Sequence, residues 1–376
     1  MDVLIEGFVA PGLESVRETF AGNFARPGDY QEVGSALCVY RDGEVIIDLW
    51  GGYADAARAR PWTADTLVNV WSTTKLAAAV AVARCVDKGL IAYAQPVAEV
   101  WPEFAQAGKA RVTIAEVMSH QAGLPGFAEP TTLDDFYDGD LVCARLAAQA
   151  PVFEPGTANS YHAVTYGFLA GEIVRRASGK TLGALFREEI AAPLAADFHI
   201  GLPASEDGRV AELFGPKNAV DAATLDLPVP ARMALFNPAQ DPTRPNDRRW
   251  RAAELPALNG QASARGVARL ASALARGGEG VISPATLAQM TAIAADRPDL
   301  MLGFNPQWGM GVAHNQIGVF GTNPRTYGHS GWGGSFGSAD PDARIAIGYV
   351  LNQMGSELVG DPRGKGLADA VYAALA

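Results

Sequence analysis

Cysteine is scarce: Cys38, Cys85 and Cys143 are the only three in 376 residues, scattered and flanked by apolar neighbours. That spacing excludes a disulfide framework and reads as buried thiols in a reducing compartment. Histidine is scarce too. The five lie far apart, with no H-E-x-x-H and no paired C-x-x-C, so neither a metal nor another cofactor is expected. Basic residues are outnumbered, 30 Lys and Arg against 41 Asp and Glu, for a net charge of −11. A surface of that sign repels phosphate backbones and anionic lipid, which removes nucleic acid and membranes from the expected partners. No long hydrophobic run offsets this: the most apolar helix, opening at Leu76, meets Arg84 and Asp87 too early to span a bilayer. Met1–Gly7 lacks the basic start and apolar core of a secretory leader, and a cytoplasmic location is the expectation. Repeats, low-complexity tracts and blocks of like charge are absent as well; Arg244–Arg251, locally basic, reads as a solvated loop.

What is present is material for a large core, 48% hydrophobic and only 19% charged. A helix over Gly12–Phe24 precedes two strands, Ser35–Tyr40 and Val45–Trp50, joined by Arg41-Asp42-Gly43-Glu44, where Asp-Gly signals a hairpin. Helical periodicity then covers 72–89, 113–121, 133–149, 161–178 and 181–190. Residues 200–262 are Pro-rich and read as long loops. Helices follow at 264–276 and 284–294, then strand-like runs Trp308–Ala313, Gln316–Phe320, Gly334–Ala339 and Ile345–Asn352, and a last helix from Lys365. Both chain ends therefore supply strands. The fold expected is α/β of the α+β kind: an antiparallel sheet domain from 1–65 and 263–376, a mainly helical domain over 66–262, and a cleft between them.

Ser72-Thr73-Thr74-Lys75 stands at that junction, before an Ala-rich run. On a helix, residues three apart share a face, which sets the Ser72 hydroxyl beside the Lys75 amine. Serine needs a base to become a nucleophile, and lysine can be that base if burial lowers its pKa. The unpaired N–H groups of a helix start favour developing negative charge. Alone, S-x-x-K arises by chance about once in a chain of this size, and Ser72 could equally cap the helix with Lys75 in water. Two further segments bear on the choice. Pro155-Gly156-Thr157-Ala158-Asn159-Ser160-Tyr161-His162 delivers a tyrosine to the start of a helix, where a tyrosinate, favoured by a charged Lys75 nearby, or a tyrosine hydrogen-bonded to a neutral lysine can shuttle a proton; a core aromatic is the plain alternative. Tyr327-Gly328-His329-Ser330-Gly331-Trp332-Gly333-Gly334-Ser335 is Gly-rich enough for backbone N–H groups to approach a ligand, or for a strand bulge.

In this order the three segments resemble the serine β-lactamase and penicillin-binding-protein superfamily, closest to the class C-like branch and its family VIII carboxylesterases. Val117–Pro125, Leu90–Pro102 and Pro284–Met290 resemble further stretches of that family, so the likeness runs from about Val33 to Asn352. It implies a β-lactamase/transpeptidase-like fold, Ser72 as acylated nucleophile, Lys75 as its base and Tyr161 as proton carrier. It further implies an oxyanion site from the Ser72 and Trp332 N–H groups, with His329, Ser330, Gly331 and Gln121 at the substrate. Two positions depart from the β-lactamases. His329 replaces the strand lysine and reads as a weaker, pH-dependent cation, and Ala163 replaces the asparagine two residues after the tyrosine. Both changes remove groups that hold carboxylated amides. The expectation is a serine carboxylesterase acting on small to medium acyl esters, with loops Phe127–Phe136 and Leu235–Trp250 lining its pocket. The alternatives are β-lactam, D-amino-acid peptide or amide hydrolysis, acyl transfer, and a catalytically inactive sensor or interaction protein. Gly333-Gly334-Ser335-Phe336-Gly337 also fits the G-x-S-x-G elbow of α/β-hydrolases, but the histidine that must follow it is missing, since His329 is the last in the chain.

Overall fold

The computed structural model describes residues 3–218 and 226–376. Met1 and Asp2 of the expected leader-free start, and 219–225 of the Pro-rich stretch, lie outside them. Ten strands form: β1 (Ile5–Val9), β2 (Gly34–Arg41), β3 (Glu44–Gly52), β4 (Val68–Asn69), β5 (Phe198–His199), β6 (Gln261–Ala262), β7 (Ala313–His314), β8 (Tyr327–Ser330), β9 (Phe336–Asp340) and β10 (Ile345–Leu351). Seven make one antiparallel sheet in the order β1-β3-β2-β10-β9-β8-β7. The two chain ends meet where Cys38 of β2 pairs with Gly348 of β10. Asp42 and Gly43 both have positive φ, 52° and 87°, the geometry that lets a two-residue turn follow the twist of β2 and β3.

Burial on both faces explains why β2 and β10 read as continuous apolar runs. Leu37, Val39, Ile347 and Tyr349 face α1 (Glu14–Ala25) and, at the far end of the chain, the helix over Pro362–Leu375. Ala36, Cys38, Ala346 and Val350 join a second, larger core. That core is built on α2 (Thr74–Asp87); α3 (Ile114–Met118) and α4 (Gly139–Ala148) pack on α5 (Thr165–Ser178), which with α6 (Leu182–Phe186) packs on the Ala-rich α2. Next come α7 (Val229–Phe236), α8 (Arg248–Ala252), α9 (Ala264–Ala275), α10 (Pro284–Thr291) and α11 (Pro362–Leu375). α9 lies across β2, β9 and β10. It comes so close that a Cβ on Gly348 would sit 2.5 Å from the Ala264 carbonyl oxygen, so only glycine fits.

Several elements differ from expectation. The Trp308–Ala313 run yields strand only at Ala313–His314, and Gln316–Phe320 forms turns instead. Helix 133–149 starts at Gly139, where Asp138 caps it, and 161–178 starts at Thr165. The Pro-rich region contains α7 and α8 and contributes β6 to a small sheet with β4 and β5. That sheet sits just before Ser72 and braces the entry to α2.

Candidate active site

Ser72 lies in a 3₁₀ turn, Trp71–Thr73, that runs into α2. Trp71 holds a left-handed φ of 44°, a costly conformation for a bulky residue. Packing sustains it: the buried Trp71 ring meets Trp250 at 5.7 Å and Trp332 at 5.1 Å. The residue before the serine is thus locked to Trp332, which follows β8. Ser335 lies underneath, donating from Oγ to the Val70 carbonyl at 2.9 Å and meeting Thr73 Oγ1 at 3.0 Å. It is buried in the turn between two strands, not exposed on a strand-to-helix elbow.

Lys75 Nζ lies 3.0 Å from Ser72 Oγ, 2.7 Å from the Ala163 carbonyl and 3.2 Å from the Ala257 carbonyl. The Tyr161 ring centre is 4.8 Å away and that of Tyr166 5.9 Å. With 0% of the residue exposed and no carboxylate beside it, burial holds its pKa well below the usual lysine value. A neutral amine has two N–H donors and one lone pair. The two carbonyls can only accept, so each takes an N–H from Nζ, and the remaining position of the amine faces the Ser72 hydroxyl, where an uncharged lysine would present its lone pair. Position 163, where an asparagine side chain was missed, acts instead through its main-chain oxygen.

Tyr161 shares a hydrogen bond with Ser72 and sits in the extended lead-in to α5, so tertiary contacts rather than a helix aim it. Burial raises its phenol, so of the two forms open from the sequence, tyrosinate and tyrosine, the protonated phenol is favoured. Trp308 stacks on the ring at 5.5 Å with 7° between the planes. The Tyr161 N–H and the Trp308 indole N–H both donate to the buried Asp299. Neither Trp308 nor Asp299 was singled out by sequence; Asn159, four residues after Pro155 and bonded to Asp299, was the nearest signal.

His329 is not the pH-dependent cation expected. Burial lowers it to about 3, so it is neutral at physiological pH. Its Nδ1–H donates to the Ser330 carbonyl at 2.8 Å. With Ser330 it borders an apolar recess that Tyr161 shares. Gly331 donates its N–H to the Ser335 carbonyl at 2.7 Å and so shapes the turn that presents Trp332. Gln121 does not join the site: its amide donates to Ser119 Oγ and to the Ala294 carbonyl, and it is absent from the cavity lining. Among the described residues, neither the Ser72 nor the Trp332 backbone N–H donates to a protein acceptor. Two free donors flanking a serine hydroxyl are an arrangement that can hold an oxyanion.

The cavity over Ser72 measures about 330 Å³ and is walled by Trp71, Tyr161, Val164, Leu258, Trp332 and Leu358, with α7 and the segment after it closing one side. No charged side chain lines it among the described residues. Of the two loops expected there, the part of Leu235–Trp250 up to Pro242 lines it, whereas Phe127 and Phe136 pack in the core against Phe168. The described residues contain no group of three or more potential metal ligands and no helix long and apolar enough to cross a membrane.

A family model described as Beta-lactamase matches residues 5–371. The esterase/beta-lactamase LipL of Mycobacterium tuberculosis is 37% identical over 369 residues, covering 94% of this chain and 84% of its own. A crystal structure of a family VIII carboxylesterase is 47% identical with a TM-score of 0.93, over 99% of this chain and 100% of that one. A penicillin-binding protein homolog from Caulobacter crescentus is 44% identical, also with a TM-score of 0.93 and the same coverage.

Proposed function

The chain belongs to the Beta-lactamase family, and from that premise we propose that it is a serine carboxylesterase whose acyl-enzyme forms on Ser72. The observation that carries the reading is the Lys75 amine, deprived of water and of any counter-charge, with its lone pair left to the Ser72 hydroxyl. An ester enters the apolar cavity with its carbonyl oxygen toward the Ser72 and Trp332 N–H groups. Ser72 Oγ attacks the carbonyl carbon while Lys75 takes the hydroxyl proton. The two N–H donors hold the oxyanion. As the carbon–oxygen bond to the alcohol breaks, the Tyr161 phenol gives its proton to the departing oxygen and recovers one from the Lys75 ammonium. Water then attacks the acyl-enzyme by the same route and frees the acid.

Size and polarity favour small to medium uncharged esters; the relatives' names support an ester substrate, and that of LipL also names beta-lactamase. A carboxylate-bearing lactam would meet no cation, because the lining carries none and His329 is neutral. Hydrolysis of p-nitrophenyl butyrate by the wild type, Ser72→Ala and Ser335→Ala tests the assignment. Loss of turnover in Ser72→Ala with turnover kept in Ser335→Ala is expected. Loss confined to Ser335→Ala, in folded protein, would overturn the nucleophile. Faster turnover of a cephalosporin than of the ester would overturn the substrate class.

A further inference from the structure

We propose that Asp299 is a positioning residue for the leaving-group proton: it fixes the Tyr161 phenol from two directions at once. The inference rests on the reading of Tyr161 as the acid that protonates the departing alcohol. Asp299 is 1% exposed, yet no cation faces it. Its Oδ1 accepts from the backbone N–H groups of Tyr161 (3.0 Å), Met301 (2.9 Å) and Leu302 (3.0 Å). Its Oδ2 accepts from Asn159 Nδ2 (3.0 Å) and the Trp308 indole N–H (3.1 Å). Every partner is a donor, the set a carboxylate demands. One oxygen therefore pins the main chain of Tyr161. The other orients Trp308, whose ring lies flat on the Tyr161 ring.

A buried charge of this kind is hard to explain as a stabiliser, since an apolar packing of the same volume does as well or better. It does explain geometry. Tyr161 stands outside any helix, where nothing local would hold its phenol over Ser72. The Asp299 charge also adds to burial in keeping that phenol protonated, the state in which it can donate.

Leaving groups separate positioning from mere support. p-Nitrophenolate departs without a proton, whereas an alkoxide does not. In Asp299→Asn the new NH₂ must face either the Asn159 and Trp308 donors or the backbone N–H groups, and the phenol loses its aim. The expected result is a fall of about 10²-fold in kcat/KM for ethyl butyrate, the worth of one general acid, with little change for p-nitrophenyl butyrate. An equal fall on both esters, or no fall on either, overturns the proposal. Fluorophosphonate labelling of Ser72 reports whether the variant is folded. Should Asp299→Asn not fold, Trp308→Phe keeps the stacked ring but deletes the indole N–H, and it must show the same preference in weaker form; its absence is equally fatal. Tyr161→Phe is measured alongside. If it lacks the leaving-group preference, the role of Tyr161 is wrong; if it has the preference and Asp299→Asn does not, only the positioning inference fails.

Discussion

Removing Lys75 from water costs the protein a solvated cation and gives it a base. A surface lysine is protonated at neutral pH and useless as a proton acceptor, while this one, with its pKa depressed by burial and its amine 3.0 Å from Ser72 Oγ, is the base we propose. The sign of the pH dependence follows. Activity needs the neutral amine, so kcat/KM should fall toward acid as Lys75 takes up a proton. It should hold on the alkaline side until the phenol, raised by burial, ionises. A pH profile with p-nitrophenyl butyrate checks this, and an activity rising toward acid would contradict it. Lys75→Arg keeps a permanent cation in the same pocket and should lose at least about 10³-fold in kcat, as should Lys75→Ala, with Ser72 no longer deprotonated on attack. His329 should contribute no limb above pH 4, being neutral there.

At the scale of elements, local signals succeeded where a segment carries its own reason to fold. The Asp42-Gly43 turn, the Ala-rich α2 and the amphipathic α9 were legible because turn chemistry and periodicity are written in neighbouring residues. β1 was not: it is short and glycine-containing, and it becomes a strand only because β3 lies beside it. The same dependence misplaced the start of α5, since the extended lead-in through Tyr161 is held by Asp299 from a loop 138 residues away. Gly348 is the test of element packing. Gly348→Val would drive a branched side chain into the α9 backbone and should cost about 1–3 kcal/mol, read as a lower urea midpoint at unchanged m value.

For the molecule as a whole, the join between the two chain ends includes a buried polar knot. Arg363 of α11 is fully buried, with Asp361 bidentate on it at 3.0 and 2.7 Å and Glu32 at 3.4 Å, and Tyr349 of β10 donates to Glu32. One cation cannot satisfy two carboxylates equally; Asp361 has the better geometry, and burial raises Glu32 to about 7. The folded state therefore holds a proton that unfolded glutamate, near 4.5, has released, so this group's stabilisation is full below 4.5 and is lost as pH rises through about 7. The buried histidines, lowered by burial, act in the opposite sense, so the Glu32 contribution is read as a difference: between pH 5 and 8 the melting temperature of the wild type relative to Glu32→Gln should decline as pH rises. From Arg363 the knot reaches the Gly333 carbonyl beside Trp332, so the far ends of the chain buttress the wall of the cavity. By itself the sequence determined the family-like order of Ser72, Lys75, Tyr161 and His329–Trp332, and the sheet drawn from both ends, because spacing, periodicity and turn chemistry are properties of adjacent residues. Only the tertiary structure decided that burial depresses the pKa of Lys75 and of His329, that the Ala163 carbonyl meets the Lys75 amine and that Asp299 accepts from the Tyr161 N–H. Protonation and aim depend on burial and on partners far away in the chain, and neither exists until the two halves have closed.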